Sequence, residues 1–264
     1  DQIRSVGPEV RESADRVIEA DGLILAPGFI DIHSHTDGTI FKHPRSESKI
    51  LQGVTTEVVG NCEIGYFPVN PRRRELLVGY VKMLDFHLPP EGVDWTDFAE
   101  YAGRLEKLNL GINLAPLVAH GSLRIAVMGA DERAPSVAEL QEMETLLAKL
   151  LQQGAWGMST GLIYPPGSFA KTEELVALGK VLTRFGALYT SHIRGESGTL
   201  LQALDEAIRI GREGGPRVQI SHLKALGKEF WGQGKEILAK LDKARREGVD
   251  IMADQYPYEA TSTS

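Results

Sequence analysis

Two imidazoles, His33 and His35, stand at i and i+2 where the apolar run Gly28-Phe29-Ile30-Asp31-Ile32 gives way to the polar turn through Thr36-Asp37-Gly38. On a strand that spacing puts both side chains on one face, so both can reach one metal ion. The competing reading is two polar residues on a half-buried strand. Their place at the carboxyl end of the run favours the metal reading, because ligands and catalysis in α/β proteins gather there. Three further residues end strand-like runs in the same way: Cys62 after 53–61, His192 after 186–191 and His222 after 217–221. Cys62 is the single cysteine of the chain, so it makes no internal disulfide. Alone it would read as an inert buried thiol; beside a His-x-His strand it reads as a ligand. A thiolate with imidazoles selects zinc over magnesium or calcium. Zinc lowers the pKa of its water from about 15.7 toward about 7 and polarises a carbonyl oxygen.

Residues at strand mouths must be held by strands, and strand-like runs alternate here with amphipathic helical ones, the pattern of a parallel sheet with crossover helices. The runs predict strands near 28–33, 55–60, 111–118, 155–160, 187–192, 217–222 and 249–254. The clearest helix starts at Ser136, where Ser136 and Glu139 form a capping box, Leu140, Met143, Leu147, Leu150 and Leu151 make an apolar stripe, and Gly154 ends it. Thr199 with Gln202 repeats the start signal ahead of Leu200, Leu204, Ala207 and Ile208. Segments 95–109, 172–185 and 236–247 read as weaker helices. From Phe67 to the prolines near 90 the chain carries the basic run Arg72-Arg73-Arg74, readable as a lid over the strand mouths or as a solvated excursion. His120, just past the third strand, reads as a structural histidine.

The segment from Val17 through His35 resembles the start of the amidohydrolase superfamily, in which a small β-sandwich leads into a metal-binding (β/α)8 barrel. More narrowly, Gln52-Gly53-Val54-Thr55-Thr56, Gly60-Asn61-Cys62, Ser191-His192-Ile193-Arg194-Gly195-Glu196, Ile220-Ser221-His222-Leu223-Lys224 and Asp254-Gln255-Tyr256-Pro257-Tyr258 are similar to the N-acyl-D-amino-acid deacylases. The resemblance implies that Cys62, His192 and His222 hold a tight zinc, and that His33 and His35 with a bridging Cys62 mark a second, weaker site. It also implies a substrate N-acyl-D-amino acid split into a carboxylate and a D-amino acid. Lys224, on the face of His222, is the expected cation for the substrate carboxylate; Tyr256 and Ser262 match positions that assist it, and Arg194 is a further candidate. Glu63 departs from the family's more usual glycine after the cysteine.

The resemblance further implies a TIM barrel in which residues 27–264 supply about seven strands and residues 1–26 part of the sandwich. The family's proton-shuttling aspartate ends an eighth strand, and no residue through Ser264 takes that role, so the catalytic acid-base is expected beyond residue 264 and the chain alone is expected to be inactive. A cyclic-amide hydrolase of the hydantoinase or dihydroorotase type is an alternative that Cys62 disfavours, and a metal-binding, non-catalytic fragment is another.

Among 264 residues the formal net charge is −7, which argues against nucleic acid or an anionic membrane as partner. Charges interrupt every apolar run before membrane-spanning length. A single cysteine suits a reducing cytoplasm.

Overall fold

The computed structural model describes residues 2–8, 13–84, 86–89 and 91–260. In chain order the elements are β1 (Phe29–Asp31), α1 (Glu47–Ile50), β2 (Val54–Val59), α2 (Arg74–Met83), α3 (Phe98–Leu105), β3 (Asn113–Pro116), β4 (Val118–Ala119), α4 (His120–Met128) and α5 (Val137–Gln152). There follow β5 (Gly157–Gly161), α6 (Thr172–Arg184), β6 (Leu188–His192), α7 (Leu200–Gly214), β7 (Arg217–Ile220), α8 (Gly234–Arg246) and β8 (Ile251–Ala253). All pairings are parallel and each strand lies beside its sequence neighbour, in the orders β1-β2-β3 and β4-β5-β6-β7-β8. Crossover helices cover the strands, and β5 is buried along its whole length, as expected of parallel strands packed on both faces.

The expected strand 111–118 is two short ones. Pro116 has no N–H to continue a ladder, and the chain changes partners there: Leu117 N–H donates to Val59 O at 2.8 Å, while Pro116 O accepts from Trp156 N–H at 3.0 Å. The sheet therefore turns a corner at Leu117 instead of ending. The barrel is not closed, since β1 and β8 each pair with one neighbour among the described residues. Residues 13–28 are exposed and contain no strand, and no strand of a sandwich is seen among the described residues before β1.

The capping box at Ser136 forms as read, with Met143, Leu147, Leu150 and Leu151 buried. Thr199 does cap α7, but its side chain makes no capping hydrogen bond. Three helices went unread, the single turn α1, α2 and α4. In α4 all nine residues are buried, so the helix is covered all round and shows no amphipathic period. In the segment after Phe67, α2 buries Leu77, Tyr80 and Val81, and Arg73 donates to the carbonyls of Ala126 and Val127 at the end of α4. The reading of this stretch as a solvated excursion is corrected: it is part of the core.

Candidate metal centre

The His-x-His turn that follows β1 is fastened to β2 by hydrogen bonds. Ser34 Oγ and Thr36 Oγ1 both donate to Glu57 Oε1, at 2.6 and 2.8 Å, and Glu57 is wholly buried. Asp31 Oδ1 accepts the His33 N–H at 3.1 Å. Cys62 lies three residues beyond β2 in a left-handed turn, with φ 55° at Cys62 and 62° at Glu63. Such backbone costs an L residue about 1–2 kcal/mol, so contacts must hold it. His192 is the last residue of β6. His222 lies two beyond β7, also left-handed at φ 39°, and its N–H donates to Asp254 Oδ1 at 2.6 Å.

These turns bring side chains from four strand mouths together. Cys62 Sγ lies 3.4 Å from His33 Nε2 and 3.6 Å from His222 Nε2. Zinc bonds of about 2.3 Å to sulfur and 2.0–2.1 Å to nitrogen, at a tetrahedral angle, separate the two donors by about 3.6 Å; the spacing fits. Each of the two rings turns Nε2 to the thiol and Nδ1 to a carboxylate, His33 to Asp254 at 3.4 Å and His222 to Glu196 at 2.9 Å. That is the orientation in which an outer carboxylate fixes a ligating histidine. His192 packs edge-on against His222 with ring centroids 4.3 Å apart, and neither of its buried ring nitrogens has a hydrogen-bond partner among the described residues. A buried imidazole without hydrogen bonds is costly, and a ligand bond is what would satisfy it. The donors fall into two overlapping groups, His33, Cys62 and His222, and His192, Glu196 and His222, within each of which the ligating atoms lie within 4.8 Å of one another. His222 is shared, so the grouping differs from the expected division in which Cys62 alone is common to both sites. His35 stands behind His33 at 5.5 Å between centroids and meets Phe86 at 6.0 Å.

Burial sets the protonation states. It lowers His192 to about 3, with the neighbouring His222 adding to the effect, and lowers His35 to about 4, with His33 adding; both rings are neutral at pH 7, as a ligand must be. Burial pushes the Cys62 thiol up, and the Asp254 and Glu196 carboxylates push the same way. A cation is therefore needed to make it a thiolate. Burial alone would raise Glu196, but hydrogen bonds from His222 and Lys224 outweigh it and hold the carboxyl at about 2.

The substrate candidates divide. Lys224 Nζ sits at the cluster, 2.5 Å from Glu196 Oε1 and 3.1 Å from His222 Nδ1, and lies 5.7 Å from the ring centre of Tyr256. The Tyr256 hydroxyl is shielded from solvent and has no hydrogen-bond partner among the described residues. Arg194 is not brought to the cluster: its guanidinium binds both oxygens of Glu206 and the carbonyls of Ser168 and Ala170. Ser262 lies outside the described residues. A cleft of about 660 Å³, lined in part by His33, His35, His222, Asp254 and Tyr256, opens over the donors. Sequence reading missed two residues as site members, Glu196 and Asp254. Both were inside quoted motifs; the signal for Asp254 was its place at the end of the run 249–254, and Glu196, four residues past β6, had no positional signal.

A thiol and imidazoles at the carboxyl ends of parallel strands, each imidazole of the thiol pair backed by a carboxylate, are a donor set that could hold a metal ion in an α/β fold. Residues 16–261 match the family described as Amidohydrolase family, and the chain belongs to it. It is 40% identical over 263 residues to the N-acyl-D-glutamate deacylase of Alcaligenes xylosoxydans xylosoxydans, covering 100% of this chain and 52% of that protein. It is 41% identical over 248 residues to the N-acyl-D-aspartate deacylase of the same organism, covering 94% of this chain and 48% of the relative. Among solved structures, N-acyl-D-glutamate deacylase from Bordetella bronchiseptica, complexed with zinc and a phosphonate inhibitor that mimics the tetrahedral intermediate, superimposes with a TM-score of 0.79 at 38% identity, over 88% of this chain and 48% of that one. The chain thus spans about half the length of the curated relatives it matches.

Proposed function

We propose that this chain forms the metal- and substrate-binding part of a zinc-dependent N-acyl-D-amino-acid deacylase, acting on a small-molecule N-acyl amino acid. The observation that carries the reading is the meeting of Cys62 with His33 and His222 at tetrahedral spacing, with His192 unpartnered beside them. The named activities of the similar proteins give it its substrate class. Zinc bound there supplies an activated water and polarises the amide carbonyl. The chain's own residues do the rest. Cys62, His33, His192 and His222 hold the metal, His35 completes a second, weaker site, and Asp254 and Glu196 orient the imidazoles. Lys224 offers its ammonium to the substrate carboxylate, and Tyr256 has a free hydroxyl to add a hydrogen bond. Proton transfer belongs to an aspartate outside this chain. In the same reading residues 1–26 contribute to a small β-sandwich and 27–264 to a (β/α) barrel. No helix among the described residues is long and apolar enough to cross a membrane, and a lone, reduced Cys62 suits the cytoplasm.

The test is metal analysis of the purified protein. Zinc should be present, and Cys62→Ala should lose most of it. Zinc content unchanged in that variant rules out the thiolate as a ligand.

A further inference from the structure

Glu63 has no part in the reading so far, yet its surroundings are built around it. Its carboxylate is wholly buried. It accepts the N–H of Gly161 at 3.1 Å, the N–H of Gly167 at 2.9 Å and the Tyr80 hydroxyl at 3.4 Å, and it faces His120 Nδ1 at 3.7 Å. Space is cleared for it by missing side chains. A Cβ on Gly167 would come within 1.6 Å of Glu63 Oε2, and one on Gly121 within 3.0 Å of Oε1. The turn itself is seated on β5: Glu63 N–H donates to Ser159 Oγ at 3.1 Å, Ser159 Oγ donates in turn to Gly60 O, and a Cβ on Gly161 would lie 2.4 Å from the Cys62 carbonyl oxygen.

A glycine at position 63 would adopt φ 62° freely. A glutamate there is held in a conformation L side chains rarely adopt, so the carboxylate contacts must outweigh the backbone cost. What they join is specific. Gly161 and Gly167 bound the loop that carries Tyr164, and the Tyr164 ring meets His192 edge-on at 5.2 Å. One carboxylate therefore ties the turn presenting Cys62 to the loop that backs His192.

We propose that Glu63 is a positioning residue for the metal centre: by bridging Gly161 and Gly167 it sets the distance between the Cys62 sulfur and the His192 imidazole. The inference rests on the zinc reading, because it assigns Glu63 a role through two of the proposed ligands. Outer residues that orient ligands are typically worth about 10- to 100-fold in metal affinity.

The experiment uses the full chain with cobalt in place of zinc, reading the thiolate-to-cobalt charge-transfer band and the cobalt affinity, with circular dichroism to check folding. Wild type should show the band. Glu63→Gly should stay folded while its cobalt affinity falls about 10- to 100-fold and its band shifts or fades. Glu63→Gln, which keeps an acceptor oxygen for one of the two loop N–H groups, should recover part of both. If Glu63→Gly does not fold, Gly167→Ala takes its place: a methyl driven into the carboxylate's space should move the band and weaken cobalt binding with Glu63 still present. A wild-type band and affinity in Glu63→Gly, or in Gly167→Ala where that stands in, overturns the positioning role and leaves the zinc reading intact. A wild type with no band overturns the zinc reading, and this inference with it.

Discussion

Behind Cys62, the side chains of Glu63, His120 and Arg124 are 0% exposed and that of Glu174 is 2% exposed, whereas on the β7–β8 side His222, Asp254, Lys224 and Glu196 are each 11–15% exposed, and His222 and Asp254 line the cleft. The buried side is joined end to end. His120 Nε2 lies 2.8 Å from Glu174 Oε1, and Arg124 Nη1 donates to both Glu174 oxygens at 2.8 and 2.6 Å. Both sides hold buried polar atoms without a hydrogen-bond partner among the described residues, His120 Nδ1 and Arg124 Nε on the buried one, the Tyr256 hydroxyl and the His192 nitrogens on the open one. What separates them is access: charges paired away from solvent set a shape, whereas polar groups beside a cleft can meet something that binds. The two sides therefore differ in what a substitution should damage first, folding at the Glu174 pair and ligand binding beside the cleft, with Glu63 between them because it runs from the buried side to the Cys62 turn.

The largest expected effect lies on the buried side. Glu174→Ala would leave Arg124 and His120 buried without their anion, and breaking a buried pair in this way costs about 3–5 kcal/mol; urea denaturation should show a loss of that order or outright unfolding. The same group gives this side its acid sensitivity. Burial alone would raise the Glu174 carboxyl, but the hydrogen bond from His120 and the Arg124 charge hold it below the usual range. Its contribution is therefore present above an unfolded pKa of about 4.3 and lost as pH falls through the lower folded value. A Glu174→Ala variant as stable as wild type at neutral pH would erase the distinction between the two sides.

Smaller effects, and on binding alone, are expected across the cleft. Lys224→Met in the full-length enzyme should lower the specificity constant for an N-acetyl-D-amino acid about 10- to 150-fold, the equivalent of a charge-assisted hydrogen bond of about 1.5–3 kcal/mol. The matching carboxamide, which carries no negative charge, should be affected far less. Equal losses on both substrates would assign Lys224 to holding Glu196 and His222. Tyr256→Phe should be milder still, a few-fold rise in KM with stability unchanged, because the hydroxyl removed has no hydrogen-bond partner among the described residues to leave behind. A clear fall in melting temperature for that variant would place Tyr256 on the structural side.

The strand mouths were legible in sequence because each strand-like run gives way directly to a polar, ligand-type residue. His33, Cys62, His192 and His222 could therefore be gathered by their position at run ends, whereas Asp254 and Glu196 could not be given partners, since their contacts are with neighbouring strands and loops. The position of Arg194 two residues past His192 was right in parity and wrong in consequence: the chain has left β6 by then, and Glu206 on α7 takes the guanidinium. Glu63 was visible only as an unexpected residue after the cysteine. Its meaning depends on Gly161 and Gly167, which lie 98 and 104 residues away. The corner at Leu117 was hidden because apolar residues run unbroken through it, and only Pro116 marked the change of ladder.

Strand pairing in this molecule is local in chain terms, each strand lying beside the next. The contacts at the strand mouths are not: Cys62 meets His222 across 160 residues, and His33 from the first strand turn reaches Asp254 just after the last strand. In polymer terms these few polar contacts close the molecule's longest loop. The entropy of closure grows only logarithmically, by about 0.6 kcal/mol for each doubling of loop length, so bringing the first and last strands face to face costs little more than joining strands half as far apart. The groups gathered for chemistry are thus the ones that turn a curved strip of neighbouring strands into a ring-like shape, and assembling the site is the same event as completing the long-range topology.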